Sequence, residues 1–385
     1  MKAKTMFILL SALSITLTSC NKGISYKDED HLDDYVHTLK YHTDFNILQL
    51  TDIHWNINTP TNASKKYLEK VLKEADRKIK ADQGNSAKID LVEITGDQFM
   101  LSNANHVKTF LKFFEQKAEE YGFVYAAIWG NHDRHGLYNP NWLSRQFKNA
   151  KHCIYLEPED DLYGRSNFII NLTENGEKAN KTTNPAKWQI VNLDSGASFS
   201  ETAVSPFRDY DYIRKDQTEW WMLEHDRAGT NVPTIAYYHI PQQDNQIAWD
   251  NHVLGGTAKN KFFKLEGFAD NGTGNYDSDF ITKGSENNLK AAFMGHAHNV
   301  DWTVEYKGVV LGLGVKTGPE LYFAHIDTAS TIPEMQEGLA SVGITENFDL
   351  IGASLVTIKN DADFELEHLY LNEREAGDFV SWVKW

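Results

Sequence analysis

Seven side chains that could bind metal ions follow five apolar runs of this chain. The runs are residues 45–50 (FNILQL), 89–94 (IDLVEI), 123–129 (FVYAAIW), 234–238 (TIAYY) and 291–294 (AAFM). The side chains that follow them are Asp52, His54, Asp97, Asn131, His239, His296 and His298. Each run has the length and composition of a buried strand, and open α/β sheets bind ligands beyond the carboxyl ends of their strands. Because the donors are oxygens and imidazole nitrogens without a thiolate, the sequence predicts a site for two divalent metal ions.

The order of these segments carries a family resemblance. From about Phe45 to about Gly318 the chain reads D-x-H, G-D, G-N-H-D, a lone His and G-H-x-H, and this order resembles the calcineurin-like metallophosphoesterases. Each segment alone occurs by chance in many proteins, but all five in order are specific. A structural role for each histidine is the alternative, and it requires five separate coincidences among the fifteen histidines. The resemblance implies an α/β fold, a four-layer α/β/β/α sandwich with two mixed β-sheets.

The resemblance also implies how the ligands divide between two ions. One ion would be held by Asp52, His54, Asp97 and His298. The other would be held by Asp97, Asn131, His239 and His296. Asp97, in the middle of the pattern, is the candidate bridging carboxylate, and Asn131 can ligate only through its amide oxygen. This donor set permits Mn, Fe, Zn or Ni.

His132 and Asp133 are the candidate catalytic residues. In the matching G-N-H-D motif the histidine does not ligate; it faces the substrate and protonates or stabilises the leaving oxygen. We expect Asp133 to orient the His132 imidazole, since a carboxylate on one ring nitrogen fixes the tautomer. Arg134 and His135 follow directly. We interpret them as solvated loop residues, with contact to phosphate as the alternative.

A further pattern narrows the resemblance to one branch. Residues 192–196 (NLDSG), then residues 210–214 (YDYIR) and Gln217 in Q-x-x-W, resemble a purple-acid-phosphatase-like branch of the superfamily. The purple enzymes carry a metal-bound tyrosine three residues after the G-D aspartate, where this chain has Met100, and they lack the histidine that is His54 here. A ferric-tyrosinate centre is therefore not expected. We interpret Trp220 and Trp221 as core residues rather than substrate-stacking ones.

The predicted chemistry is hydrolysis of phosphomonoesters or phosphodiesters by attack of metal-bound hydroxide. Two metals bind the phosphate oxygens and lower the pKa of a bridging water. A non-catalytic surface binding protein on the same scaffold is one alternative. A specialised enzyme is the other: a nucleotidase, a lipid phosphodiesterase or a diphosphate hydrolase. Since the formal net charge is −16, non-specific nucleic-acid binding is not expected.

The N-terminus reads as a lipoprotein signal peptide over residues 1–19. Lys2 and Lys4 precede an apolar stretch over residues 6–17, which is too short for a mature transmembrane helix. Leu-Thr-Ser before Cys20 resembles the bacterial lipobox, which implies cleavage before Cys20 and lipidation of its thiol. The predicted location is then the cell envelope, on the periplasmic face or the outer-membrane surface. Ordinary secretion, with Cys20 incidental, is the alternative.

The remaining chain is predicted to form one domain. Residues 20–42 are acid-rich and read as a tether, and residues 43–385 as the metallophosphoesterase domain, with residues 320–385 completing its second sheet. Periodicity predicts helices over residues 61–80, 103–121 and 216–228. Residues 241–290 are rich in Asn, Gly and Asp, and either wall the pocket or form a solvated linker. Cys153 lies in an apolar run and is assigned no chemistry.

Overall fold

The structure of the chain is a computed structural model. It describes residues 25–27, 32–55, 63–134, 140–157, 161–197, 210–253, 260–263, 273–274, 276–298, 300–318, 350–360, 362–372 and 380–385. The predicted signal peptide, Cys20 and His135 lie outside these residues. Within the described part of the chain, no helix is both long and apolar enough to cross a membrane.

Fifteen strands and six α-helices are present in the described residues. The strands are β1 (Val36–Lys40), β2 (Phe45–Leu50), β3 (Leu91–Thr95), β4 (Val124–Ile128), β5 (Cys153–Ile154), β6 (Phe168–Thr173), β7 (Trp188–Asn192), β8 (Thr234–Tyr237), β9 (Asn260–Phe263), β10 (Leu289–Met294), β11 (Val300–Tyr306), β12 (Val309–Leu313), β13 (Leu350–Ile358), β14 (Phe364–Asn372) and β15 (Val380–Lys384). The helices are α1 (Ala63–Gln83), α2 (Ala104–Tyr121), α3 (Pro140–Lys148), α4 (Lys215–Ala228), α5 (Gln243–Ala248) and α6 (Phe280–Glu286).

These strands form two mixed sheets, which confirms the predicted fold class. The first sheet has the order β15-β14-β13-β2-β3-β4-β5, with β2 to β5 parallel and β13 to β15 antiparallel. The second has the order β1-β6-β7-β8-β10-β12-β11-β9, with β7, β8, β10 and β12 parallel. Helices α1 and α2 contact the first sheet, and α4 and α6 contact the second. The C-terminal strands β13 to β15 extend the first sheet through β2 and do not complete the second sheet, so that prediction was wrong; their described residues form no domain of their own.

The central strands are buried on both faces. Every residue of β2, β3 and β8 is buried, which is expected of parallel strands covered by helices on one side and by a second sheet on the other. This explains why the apolar runs of the sequence are nearly continuous rather than alternating.

The predicted helix over residues 103–121 has clear end signals. The Asn103 side chain accepts hydrogen bonds from the backbone N–H groups of Asn105 and His106, which is an N-cap arrangement. Gly122 ends the helix in the left-handed conformation, with φ of 76°. The other two predicted helices correspond to α1 and α4, and Trp220 and Trp221 of α4 are fully buried in the core.

Part of the predicted tether belongs to the folded domain. Val36–Lys40 forms β1, which pairs in parallel with β6 at the edge of the second sheet. Just before it, Leu32 and Tyr35 are buried, and the Tyr35 ring lies 5.0 Å from that of Trp220. The acidic composition of this segment concealed the strand, because its partner lies about 130 residues away. The fold therefore begins before residue 43.

The described part of residues 241–290 has regular secondary structure and so is not simply a solvated linker; its role as a pocket wall stays a prediction. It contains α5, the π-helical turn Trp249–Val253, β9 and α6. Strand β9 pairs with β11 and forms an edge of the second sheet. Regular secondary structure therefore forms within this Asn- and Gly-rich segment.

Candidate metal centre

All seven predicted ligands lie at the carboxyl ends of strands from both sheets. Strands β2, β3 and β4 of the first sheet lead to Asp52, His54, Asp97 and Asn131. Strands β8 and β10 of the second sheet lead to His239, His296 and His298. The site therefore lies where the two sheets meet, and its geometry depends on how they stack.

Four of the candidate ligands hold an unusual backbone conformation. Asp52, His54, Asp97 and His296 have positive φ angles of 50°, 45°, 51° and 78°. Side chains other than glycine rarely adopt this region, and such strain concentrates at functional sites, where the surrounding structure enforces it. The chain turns sharply after each strand and presents the side chain at the sheet edge.

The first group of side chains that could hold an ion is Asp52, His54, Asp97 and His298. The Nε2 atoms of His54 and His298 lie 3.0 Å apart. His298 Nε2 lies 3.2 Å from Asp52 Oδ1, and His54 Nε2 lies 3.8 Å from Asp97 Oδ2. All four residues are buried, so the donor atoms converge on a small volume away from bulk water.

The second group contains Asp97, His239 and His296. His239 Nε2 lies 3.4 Å from Asp97 Oδ2. The Asn131 amide oxygen joins them, 3.1 Å from His239 Nε2 and 2.9 Å from His296 Nδ1. Within the described residues the structure thus brings together the two ligand sets that the family resemblance implied, with Asp97 common to both.

The donor atoms pass a test of fit for two ions. Asp97 Oδ1 accepts a hydrogen bond of 2.8 Å from the backbone N–H of His132. Asp97 Oδ2 faces both groups and is buried with no hydrogen-bond partner, and so is Asp52 Oδ1. Buried carboxylate oxygens without a hydrogen bond are rare in folded proteins. Cations held by the two groups would satisfy both oxygens.

Neighbouring groups fix the orientation of the ligands. Thr51 Oγ1 and the His296 backbone N–H donate to Asp52 Oδ2 at 2.7 and 3.0 Å, which leaves Oδ1 directed at the site. His239 Nδ1 lies 2.8 Å from the Thr95 carbonyl oxygen, so its Nε2 is the free donor for an ion. Such outer contacts set tautomer and ring orientation in metal sites.

Two glycines of the motifs allow the strand ends to approach closely. A Cβ atom at Gly130 would overlap the Asp97 carboxylate, and one at Gly295 would overlap the Thr51 hydroxyl. Neither neighbour is a flexible side-chain end, so neither could move aside without displacing a ligand. The glycines of G-N-H-D and G-H-x-H are therefore explained by space rather than by backbone flexibility.

Burial and mutual charge set the protonation of the cluster in the absence of ions. Burial, followed by the charge of His239, lowers the pKa of His296 to about 3. Burial raises the pKa of Asp97, but the charges of His239 and His132 outweigh it and hold that pKa well below its usual value. His296 is thus neutral and Asp97 ionised at neutral pH, which are the forms that bind metals.

His132 lies beside the ligands in a different position from theirs. Its side chain is half-buried and its ring packs edge-to-face on His54, with centroids 5.2 Å apart. A half-exposed imidazole against the buried cluster is placed to meet a substrate that enters from solvent.

Asp133 makes two backbone contacts that the sequence did not predict. Its Oδ1 accepts from the backbone N–H of Phe99 at 2.9 Å, and its Oδ2 accepts from that of Gly130 at 2.8 Å. Both carboxyl oxygens therefore join the loops that follow β3 and β4, and its orienting of His132 stays a prediction. Asp133 shapes the loop from which Asn131 and His132 extend.

Arg134 is not a solvated loop residue, which corrects that interpretation. Its guanidinium forms an ion pair with the buried carboxylate of Asp194. Asp194 also accepts from the backbone N–H groups of Gly196 and Arg165, at 2.9 and 2.6 Å. The pair ties the G-N-H-D loop of the first sheet to the segment that follows β7 of the second.

Sequence reasoning missed the contribution of Ser195 and Tyr210. Ser195 Oγ accepts from the backbone N–H groups of His239 and Ile240, at 3.2 and 2.7 Å, and so positions the loop that carries a ligand. The Tyr210 ring packs edge-to-face on His296, with centroids 4.3 Å apart. The branch pattern did contain both residues, Ser195 in residues 192–196 and Tyr210 in residues 210–214, but nothing in the sequence indicated which ligands they would contact.

The chain belongs to the calcineurin-like phosphoesterase family, whose model matches residues 45–300. That range contains all seven candidate ligands together with His132. The family and the buried Asp/His cluster together fit a dinuclear metal site.

Two curated relatives come from Arabidopsis thaliana. Probable inactive purple acid phosphatase 28 is 26% identical over 251 residues, which cover 62% of this chain and 60% of that protein. Probable inactive purple acid phosphatase 29 is 25% identical over 313 residues, which cover 72% of this chain and 73% of that protein. A solved dimetal phosphatase from Danio rerio aligns over 89% of this chain and all of its own, with a TM-score of 0.48 and 10% identity.

Proposed function

We propose that this protein is a dinuclear metal-dependent phosphoesterase that hydrolyses phosphomonoesters or phosphodiesters. The observation that carries the proposal is the placement of Asp97 Oδ2. It is buried, has no hydrogen-bond partner, and lies within 3.8 Å of a donor nitrogen from each ligand group. A carboxylate shared by two metal-binding groups is the core of a two-metal hydrolytic site.

The chain's own residues would divide the work as follows. Asp52, His54 and His298 would hold one ion, Asn131, His239 and His296 the other, and Asp97 both. When bound, the ions would neutralise phosphate charge and activate a water molecule. The half-exposed His132 would donate a proton to, or hydrogen-bond, the leaving oxygen.

A non-catalytic binding protein is the second candidate, because both curated relatives carry names that call them probable inactive. Against it stands the complete set of ligands in this chain. A scaffold that had lost catalysis would have no need for seven converging donors or for strained backbone at four of them. We therefore favour the enzyme.

Turnover measurements test the proposal. The chain that begins at Asn21 would be assayed with p-nitrophenyl phosphate and bis-p-nitrophenyl phosphate, in the presence of Mn, Fe, Zn or Ni. Metal-dependent turnover is the expected result, and the ratio of the two rates would place the substrate among monoesters or diesters. Bound metal without turnover on a wider panel of nucleotides, lipid diesters and diphosphates would favour the binding protein.

We further propose that the protein is a lipoprotein of the cell envelope, anchored through Cys20. The support is the sequence alone: a basic start, a short apolar stretch and Leu-Thr-Ser-Cys. Replacing Cys20 with Ser should release the protein from the membrane fraction of its bacterial host. Unchanged fractionation of the Cys20→Ser variant would contradict lipidation.

A further inference from the structure

A layer of four polar side chains lies between the sheets, directly below the metal centre. Gln49 of β2 and Glu93 of β3 are register partners in the first sheet. Asn192 of β7 and Tyr237 of β8 are register partners in the second. All four are fully buried, and the Asn192 amide lies 3.5 Å from Glu93 Oε1 across the gap. We call these residues the inter-sheet layer.

Each member of the inter-sheet layer carries a buried oxygen to which no protein group is hydrogen-bonded. The atoms are Gln49 Oε1, Glu93 Oε2, Asn192 Oδ1 and the Tyr237 hydroxyl. The amide hydrogens of Gln49 are already used, because its Nε2 donates to Thr95 Oγ1 at 3.0 Å and to the Met294 carbonyl at 3.2 Å. The layer is therefore rich in acceptors and poor in donors.

A count of donors indicates the protonation of Glu93. If Glu93 is ionised, three oxygens lack a donor, and the layer offers only two further hydrogens, that of the Tyr237 hydroxyl and the second amide hydrogen of Asn192. If Glu93 carries a proton, two acceptors remain, the amide oxygens of Gln49 and Asn192, and the layer has three hydrogens to donate. The ionised form is therefore short of a donor and the protonated form is not, and leaving buried acceptors without donors is costly.

The surroundings of Glu93 contain nothing that stabilises its negative charge. Burial raises the pKa of Glu93 to about 8, against a small opposing effect of the Asn192 amide. The other titratable groups that it influences are the Tyr237 hydroxyl of β8 and the Cys153 thiol of β5, and burial raises the pKa of both. No lysine, arginine or histidine among the described residues contributes to the pKa of Glu93.

The inter-sheet layer is connected to the metal centre on both sides. Gln49 contacts Thr95 and Met294, the last residues of β3 and β10, which lead to Asp97 and His296. In the second sheet, Asn192 and Tyr237 end β7 and β8, which lead to the Ser195 and His239 segments. Because each group of ligands draws on both sheets, the spacing between the sheets at this level sets the distance, within each group, between the ligands of the first sheet and those of the second.

We propose that Glu93 is a positioning residue, which in its protonated form joins the two sheets through Gln49, Asn192 and Tyr237 and so holds the two halves of the metal centre in register. Loss of the proton would place an unpaired charge between the sheets. The link to catalysis rests on the proposed function, but the protonation of Glu93 does not.

The sign of the pH effect follows from the raised pKa. Between the pKa of an unfolded glutamate, about 4.3, and about 8, the folded protein keeps a proton that the unfolded chain has lost. Stability from Glu93 is thus complete in acid and is lost as the pH rises, until it levels off above about 8. Across this window the folding equilibrium constant of the wild type should fall by about tenfold per pH unit relative to Glu93→Gln.

Glu93→Gln is the main test, because glutamine keeps the shape and a donor but cannot titrate. Glu224→Gln is the matched control: Glu224 is also buried, with a pKa raised by burial to about 7, but it pairs with Arg227 on α4. Infrared spectra of the full chain at pH 7 should show a protonated carboxyl band that Glu93→Gln removes. Chemical unfolding of the three proteins from pH 5.5 to pH 9.5 should show the predicted pH dependence of the folding equilibrium constant of the wild type relative to Glu93→Gln.

A metal titration then tests the positioning role. The ratio of Mn²⁺ affinities, Glu93→Gln over wild type, should be near one at pH 6.5 and should rise above pH 8, whereas the ratio for Glu224→Gln should not change. If the proposed function fails, no variant will turn over substrate, yet the infrared and unfolding results will still stand. A constant affinity ratio would limit Glu93 to a structural role and overturn the inference.

Two further outcomes decide the protonation itself. An infrared spectrum of Glu93→Gln identical with that of the wild type at pH 7, with parallel unfolding curves at every pH, would show that Glu93 is ionised and overturn the inference. If Glu93→Gln does not fold, Tyr237→Phe replaces it. That variant removes one donor and keeps the carboxyl, so it should shift the Glu93 band in frequency without abolishing it, and an unshifted spectrum would contradict the layer.

Discussion

The two ends of strand β3 carry the same residue type in opposite states. Asp90 precedes the strand, and both its oxygens accept hydrogen bonds, from His42 Nε2 at 3.0 Å and from the Asn46 backbone N–H at 2.9 Å. Asp97 follows the strand, and its Oδ2 is buried without a hydrogen-bond partner. Near each aspartate lie a histidine and an asparagine, so composition does not distinguish the ends. The hydrogen bonds do distinguish them. Both oxygens of Asp90 have hydrogen-bond partners within the protein, whereas Asp97 Oδ2 has none and would need a bound ligand.

The pKa values of the two aspartates diverge in the same way. Burial raises the pKa of Asp90, and its hydrogen bonds only partly offset this. Burial also raises the pKa of Asp97, but the charges of His239 and His132 outweigh it and lower that pKa. A buried cluster that keeps a carboxylate ionised among imidazoles is suited to binding cations. The comparison can be tested by making the same substitutions at both ends of β3.

The largest effect is expected from Asp97→Asn. Asparagine keeps the size but removes the charge and the bridging oxygen, so both metal sites and all metal-dependent turnover should be lost. Metal analysis and turnover of the purified variant measure this. Asp90→Asn is the matched control and should keep both metals and the wild-type rate. Equal metal content in Asp97→Asn and Asp90→Asn would contradict the assignment of metal binding to Asp97 rather than Asp90.

His132→Ala should produce the next largest effect. His132 is half-buried beside His54 and belongs to neither ligand group, so the variant should keep its metals while the rate falls by about 10²–10⁴-fold. The loss should be greatest for substrates with poor leaving groups, which a series of aryl and alkyl phosphates would reveal. If metal is lost as well, His132 is a ligand and its assignment here is wrong.

Ser195→Ala should weaken metal binding by a smaller amount. The hydroxyl accepts from the backbone of His239 and Ile240, and loss of such an outer contact typically costs 10–100-fold in metal affinity or activity. Competition with a chelator measures the affinity. The exposed Ser86, near Asp90 at the other end of β3, offers the control Ser86→Ala, for which no change is expected.

Asp90→Asn should show the smallest effect, and on stability alone. Loss of an acceptor in a satisfied buried pair costs about 1–3 kcal/mol of unfolding free energy. Because the folded-state pKa of Asp90 is raised, the stability that its protonated form contributes is complete below the unfolded pKa and is lost as the pH rises through the folded value. The cost of the variant should therefore be larger in acid than at pH 7. Urea unfolding at both pH values measures it, and a cost that grows toward neutral pH would contradict the assigned direction.

Much of the site was predictable because strand-end chemistry is local. An apolar run that is followed by Asp52, Asp97 or His239 predicts both the strand and the ligand. The order of the family motifs then predicts how the ligands divide between two ions. The caps of α2, Asn103 and Gly122, are local signals of the same kind. The α/β fold class with two mixed sheets followed from the family resemblance.

What escaped prediction depends on contacts between distant parts of the chain. Strand β1 pairs with β6 more than a hundred residues away, so its acidic surroundings suggested a tether. The backbone partners of Asp133 require β3 and β4 to lie side by side, and the ion pair of Arg134 with Asp194 requires both sheets to be in place. Glu93 and Gln49 did carry a local signal, since each is a polar residue inside a buried run. Their meaning depended on the opposite sheet.

The central claim is that Asp97 is shared by two metal ions. The most direct test is to load the chain that begins at Asn21 with Mn²⁺, count the ions per chain and record the electron paramagnetic resonance spectrum. We expect close to two ions per chain with the spectrum of an exchange-coupled pair, and we expect Asp97→Asn to bind no such pair. A single uncoupled ion, or two ions whose spectra are independent of each other, would contradict the bridge.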